Sequence, residues 1–302
     1  MRWDDFRRSE NVEDRRGGGG FGMPGRAGGL GIGTVLILGL IGWVFGIDPR
    51  ILIGGAEILT GGGEQQYERK TTSEKRSAPP DETGQFVAAV LGDTEDRWKE
   101  IFQAAGRQYS PPRLVMFSGM TNSACGMAQS AMGPFYCPND RVVYLDTSFF
   151  RDLEARFGGC DGKACRFAQA YVITHEVGHH VQNLVGVLPR VQSVQHQVDQ
   201  RQANQLQVRV ELQADCFAGL WANRAQAKWN FIEPGDVEAA MQTASAIGDD
   251  RLQKRSQGRV VPDAFTHGSS AQRVHWFTTG LRGGQFASCN TFDSNDTVGR
   301  GQ

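Results

Sequence analysis

Six consecutive residues constrain this chain more than any other feature: His175-Glu176-Val177-Gly178-His179-His180. They contain His-Glu-x-x-His. On an α-helix, residues four apart lie on one face, one turn apart, so His175 and His179 can aim a ring nitrogen at the same tetrahedral zinc ion. Glu176 sits about 100° around that helix, close enough to reach a water on the metal without ligating it. The same short pattern also occurs as two surface histidines on a charged helix, so its surroundings decide. Ala170, Ile173, Val177, Val181 and Leu184 recur at three- and four-residue steps, the spacing of a buried amphipathic helix. Polar residues on such a helix need partners, and a metal supplies one. Gly178 costs about 1 kcal/mol of helix propensity relative to Ala; close backbone packing near the metal would account for it.

A catalytic zinc takes three protein ligands and keeps one position open. The third is expected at Glu211, inside Val210-Glu211-Leu212-Gln213-Ala214-Asp215-Cys216-Phe217-Ala218. Val208, Leu212, Phe217, Leu220 and Trp221 give this segment an apolar helical stripe. Glu211 and Asp215 are four apart and share a face. Ordinary solvated charges are the alternative, but from Leu212 to Ala222 the sole charge is Asp215. That favours Glu211 on the metal, with Asp215 accepting the second N–H of a ligand histidine and fixing its tautomer.

These motifs, together with Tyr136-Cys137-Pro138, Val143-Tyr144-Leu145-Asp146 and Thr266-His267-Gly268-Ser269-Ser270, resemble the bacterial neutral zinc metallopeptidase family. The resemblance covers nearly the whole chain, including an N-terminal membrane segment. It implies an α+β, zincin-like domain, mostly helical with a small sheet. It also implies Zn2+ on His175, His179 and Glu211, with Glu176 as general base, and this chain departs from the pattern at none of the four. By analogy with related gluzincins, His267 stabilises the oxyanion; a loop or capping histidine is the alternative. Also by analogy, an edge strand of the sheet pairs with an extended substrate. The implied reaction is peptide hydrolysis by water, with Glu176 taking its proton and passing it to the leaving amine. Two other readings compete: a tethered scaffold that binds zinc or peptide without cleaving, and a zinc amidase acting on cell-wall material. Glu176 speaks against the scaffold, because a structural zinc needs no base and is closed by four protein ligands. Of the remaining histidines, His180 is expected off the metal face as a surface or supporting polar group, His196 in solvent and His275 in the core.

A net charge of −1 gives no electrostatic case for nucleic acid. The expected partners are a peptide or protein substrate and, through the N-terminal helix, a membrane; nothing in the sequence specifies an oligomeric state. Residues 30–47 carry no charge and would span about 27 Å as a helix, near the roughly 30 Å of a hydrocarbon core. The run exceeds a signal peptide's apolar region and lacks a following Ala-x-Ala, so an uncleaved anchor is expected. Six arginines precede it, and only Arg50 occurs in the 18 residues after it. That bias predicts a single pass of the bacterial inner membrane, N-terminus cytoplasmic and catalytic domain extracytoplasmic. The expected organisation is a disordered cytoplasmic segment 1–29, a transmembrane helix 30–47, a flexible linker 48–82, a metallopeptidase domain 83–290 and a tail 291–302. All six cysteines follow the apolar run. Close spacing suggests Cys125–Cys137 and Cys160–Cys165, leaving Cys216–Cys289. Apolar runs predict strands at Arg113–Phe117 and 141–146. Helices are expected early, from Phe86 to Phe102, and at 197–228, 234–247 and 270–281.

Overall fold

The computed structural model describes residues 1–16, 79–130, 133–156 and 164–293. Its sheet is built from β-branched and aromatic runs. Strands β1 (Val12–Asp14), β2 (Arg113–Phe117), β5 (Phe135–Cys137) and β6 (Val142–Asp146) form four neighbours in the order β1-β2-β6-β5. The first two contacts are parallel; β5 runs antiparallel to β6 and forms one edge. β3 (Met120–Ser123) and β4 (Gly126–Gln129) make a separate hairpin. Helices occupy most of the rest: α1 (Glu82–Ala104), α2 (Ser148–Arg156), α3 (Ala164–Val185), α4 (Val187–Gln195), α5 (Gln200–Trp229), α6 (Asp236–Ala246), α7 (Asp249–Gln257) and α8 (Ser270–Gly283). The mixture is α+β, mostly helical with a small sheet.

Local chemistry sets the ends of the long helices. Asp81 caps α1 by accepting from the Gly84 N–H, and Asp199 caps α5 through Gln202. A capping box of Ser269 and Gln272 starts α8. Left-handed residues, Asn230 and Gly284, stop α5 and α8. One apolar core joins these helices to the sheet, with Trp98, Phe217, Trp221, Tyr171 and Phe277 almost fully buried. The early apolar positions belong to a single helix, α1, rather than several. Cys125–Cys137 and Cys216–Cys289 are both closed. Cys165 is disulfide-bonded as well, and its expected partner Cys160 lies outside the described residues.

The N-terminal segment departs from expectation. Residues 1–16 are packed, not a coreless extension. Met1, Phe6 and Val12 are buried, and Phe6 stacks edge-on against Phe231. Val12 to Asp14 align with Leu114 to Met116 in the sheet. The arm crosses α1 at Gly92, where an added Cβ would stand 2.1 Å from the Arg7 carbonyl oxygen. Arg7 pairs with Glu95 at 2.7 Å and with Asp96 at 2.9 Å, and Arg16 pairs with Asp14 and Asp81. The arginines that look like a topogenic cluster in the sequence are therefore used to hold the arm. The chain end differs too: Thr291 is buried, with its hydroxyl on the Arg209 carbonyl, so the packed body continues past residue 290. Among the described residues no helix is long and apolar enough to cross a membrane, and residues 30–47 lie outside them.

Candidate metal centre

Helix periodicity brings the two motif histidines onto one face of α3, their ring centroids 4.8 Å apart and their planes nearly perpendicular. Glu211 reaches them from α5. Its Oε2 lies 3.3 Å from His175 Nε2 and 3.5 Å from His179 Nε2. Donors 2.0–2.1 Å from a tetrahedral ion are separated from one another by about 3.3 Å. The two Glu211–histidine distances match that spacing, and all three ligand atoms lie within 4.8 Å of each other, close enough to share one ion. Gly178 makes this possible: a Cβ there would sit 3.1 Å from both the Cα and the carbonyl oxygen of Ala214. Ala214 falls between Glu211 and Asp215, so the missing side chain lets the two metal-facing helices close up at the site.

Asp215 is fully buried and holds His175 from behind. Its Oδ1 is 2.9 Å from His175 Nδ1 and accepts from the Tyr171 hydroxyl at 2.5 Å. Both its oxygens accept from Arg273 of α8, each at 2.9 Å. Burial alone would raise this carboxyl; the Arg273 and His175 charges outweigh it and bring it down to about 2. An ionised Asp215 keeps a proton on His175 Nδ1 and leaves Nε2 as the nitrogen facing Glu211. The other oxygen of Glu211 accepts from Gln207 at 2.8 Å, and His179 Nδ1 faces Gln182 Oε1 at 2.8 Å.

Without a cation, protons balance the acids. Burial disfavours a charged His175, yet Asp215 and Glu211 push it up to about 10. Burial would likewise raise Glu211, but the neighbouring histidines hold it well below the usual carboxylate range. A divalent ion would replace those protons, because ligand imidazoles must be neutral. Glu176 behaves differently. It is buried beside the two histidines but outside the ligand set, and burial raises its pKa against the pull of His179, His175 and a Tyr136 N–H bond.

His267 lies in the loop between a short 3-10 turn (Pro262–Ala264) and α8, its side chain half exposed. Asp249 clamps this loop, its Oδ2 accepting from the N–H groups of Thr266, His267 and Gly268 at 2.6, 2.6 and 3.1 Å. The imidazole Nδ1 is 3.4 Å from Asp249 Oδ1. Desolvation opposes its charged form; Asp249 and Glu211 raise its pKa nonetheless. The positive charge of His267 in turn helps to lower Glu211, which ties this loop electrostatically to the metal cluster. His267 is not one of the clustered ligands.

Of the two roles expected for His180, it takes the supporting one: it is buried. Its Nε2 donates to the Ser110 carbonyl at 2.7 Å, and its Nδ1 accepts the Tyr136 hydroxyl at 3.1 Å. It is a strut from α3 to the edge strand β5. His196 is exposed as expected, whereas His275 is exposed and not in the core, because α8 turns Trp276 and Phe277 inward. Tyr171, Gln182, Gln207, Asp249 and Arg273 also build the site and were not expected from the sequence. For two of them a signal was present: Gln182 is one turn past His179 and Gln207 one turn before Glu211.

A family model described as "Putative neutral zinc metallopeptidase" matches residues 1–292. An uncharacterized protein of Escherichia coli (strain K12), YpfJ, is 47% identical over 300 residues, covering 97% of this chain and 99% of that protein. An uncharacterized protein of Mycobacterium tuberculosis (strain ATCC 25618 / H37Rv) is 42% identical over 219 residues, covering 70% of this chain and 71% of its own length. No solved structure matches the chain.

Proposed function

Because this chain belongs to the neutral zinc metallopeptidase family, we propose that it is a zinc-dependent peptidase that hydrolyses peptide bonds with water, Glu176 acting as general base. One observation carries the reading. Three ligand atoms cluster within 4.8 Å of one another while a fourth buried group, Glu176, stands beside them and is not a ligand. A purely structural site would use the fourth position for protein and would have no use for a buried carboxylate that does not ligate.

His175, His179 and Glu211 would hold the ion. Bound there, zinc supplies a Lewis acid that makes water a nucleophile near neutral pH and polarises a carbonyl. Glu176 takes the proton of the attacking water and returns it to the leaving amine. His267 offers a cationic imidazole for the oxygen that gains charge, oriented by Asp249. The edge position of β5, with the Tyr136 N–H turned to Glu176, supports an extended peptide as the substrate.

The location is part of the proposal. Closed disulfides support an oxidising, extracytoplasmic compartment for the catalytic domain. Pairing of β1 with β2 supports the same compartment for residues 1–16. A single membrane crossing between residues 16 and 79 would part these strands, so the pairing supports one shared side for both and speaks against the expected cytoplasmic N-terminus with an outside domain.

The test is hydrolysis of a peptide library by the purified full chain. Cleavage that stops on chelation and returns with stoichiometric zinc is the expected result. A zinc-loaded protein that cleaves no peptide would overturn the reading.

A further inference from the structure

We propose that Gln182 and Gln213 form an amide relay that decides which ring nitrogen of His179 faces the metal, anchored at its far end on the carbonyl of the disulfide-bonded Cys289. The inference rests on the metal-site reading above and adds positioning residues to it.

Donors and acceptors fix the relay. Gln182 is fully buried, so every polar atom of its amide needs a partner. Its Nε2 lies 2.7 Å from the Val210 carbonyl oxygen and 3.0 Å from Gln213 Oε1. A backbone carbonyl can only accept, so the nitrogen must sit on that side; the swapped amide would set oxygen against oxygen. Gln213 is fixed by the same logic, because its Nε2 donates to the Cys289 carbonyl at 3.0 Å and thereby presents its oxygen to Gln182. Both hydrogens of Gln182 are then committed, and its Oε1 is left facing His179 Nδ1 at 2.8 Å. An amide oxygen accepts and cannot donate. His179 must therefore carry a proton on Nδ1, which makes Nε2, 3.5 Å from Glu211 Oε2, the nitrogen open to a metal.

The anchor is itself held. Cys289 is disulfide-bonded to Cys216, which follows Asp215 on α5. The two ligand histidines are thus fixed by different groups, His175 by a carboxylate and His179 by a neutral amide. Neutral support adds no charge to a volume that already holds Glu176, Glu211 and Asp215.

Two readouts on the full chain test the relay, neither of them turnover. In metal-free protein, 15N NMR of the histidine rings should show His179 protonated on Nδ1. Gln182→Met keeps the volume and removes the acceptor. It should mix the tautomers and weaken zinc binding about tenfold to a hundredfold in chelator competition. Gln213→Met, one step removed, should give a smaller shift of the same sign with the fold intact by circular dichroism. An Nε2–H tautomer in the unaltered protein, or unchanged zinc affinity and tautomer in Gln182→Met, overturns the relay while leaving the metal site standing. Failure of the unaltered protein to bind zinc at all would instead remove the reading beneath it.

Discussion

Asp215 Oδ1 stands 2.9 Å from His175 Nδ1 while both carboxylate oxygens accept N–H groups of Arg273 at the same distance. This contact locks the last helix to the metal helix through a third, α5. It also explains how a carboxylate with no exposed surface stays ionised: the guanidinium supplies the counter-charge that water cannot.

Replacing Asp215 should therefore fail in two separable ways. Asp215→Asn should weaken zinc binding about tenfold to a hundredfold, because the His175 tautomer loses its charged acceptor. It should also destabilise the metal-free protein by roughly 3–5 kcal/mol, because Arg273 is left as a buried unpaired cation. Chelator competition reads the first effect and urea unfolding the second. A variant unchanged in both would remove Asp215 from the account.

Acid should loosen the fold through His180 before it reaches Asp215. Burial, only partly offset by the Ser110 carbonyl, lowers the His180 pKa to about 4, against 6.5 for an ordinary histidine. The unfolded chain then binds the extra proton between those values, so stability falls as pH drops from about 6.5 to 4, by an amount on the order of 3 kcal/mol. Asp215, held at about 2, loses its contribution only below the ordinary carboxyl value of 3.8. His175 has the opposite sign. Raised to about 10, it contributes fully below pH 6.5 in the metal-free protein and loses that contribution as pH rises through 10. Urea midpoints across pH 4–10, with and without zinc, measure both limbs. The alkaline loss should vanish in zinc, where the ion replaces the proton.

The packed N-terminal arm makes a prediction about topology. Exposed positions Glu10 and Arg259 should share one side of the membrane, since β1 and the helical body are one structure. Cysteines introduced at either place should react alike with a membrane-impermeant maleimide in intact cells. Labelling of one and protection of the other would contradict the β1–β2 pairing in the cell. In the purified protein, Phe6→Ala should cost about 3–5 kcal/mol, the range for emptying a buried aromatic site.

Much of the centre was legible because helix geometry is local. His175, Glu176 and His179 declare their common turn by spacing alone, and Glu211 and Asp215 stand out as acids in an uncharged stretch. Arg273 was not legible, because it acquires its role only by meeting Asp215 across 58 residues of sequence. Gln213 was hidden for a different reason: a neutral amide on a helix looks solvated until its partners are known. The arm was misread because Met1, Phe6 and Val12 are too sparse for any periodicity. Their burial depends on distant groups, Phe231 and Leu114 among them, and the arginines between them mimic a membrane-flanking cluster. The expected membrane segment 30–47 lies outside the described residues.

The central claim is that one buried carboxylate works beside the metal rather than on it. Glu176→Gln separates the two roles most directly, with bound zinc and peptide hydrolysis measured on the same preparation. The account predicts one zinc per chain, as in the unaltered protein, and turnover lower by at least about a hundredfold. Hydrolysis near the unaltered rate, or loss of the zinc, would contradict it.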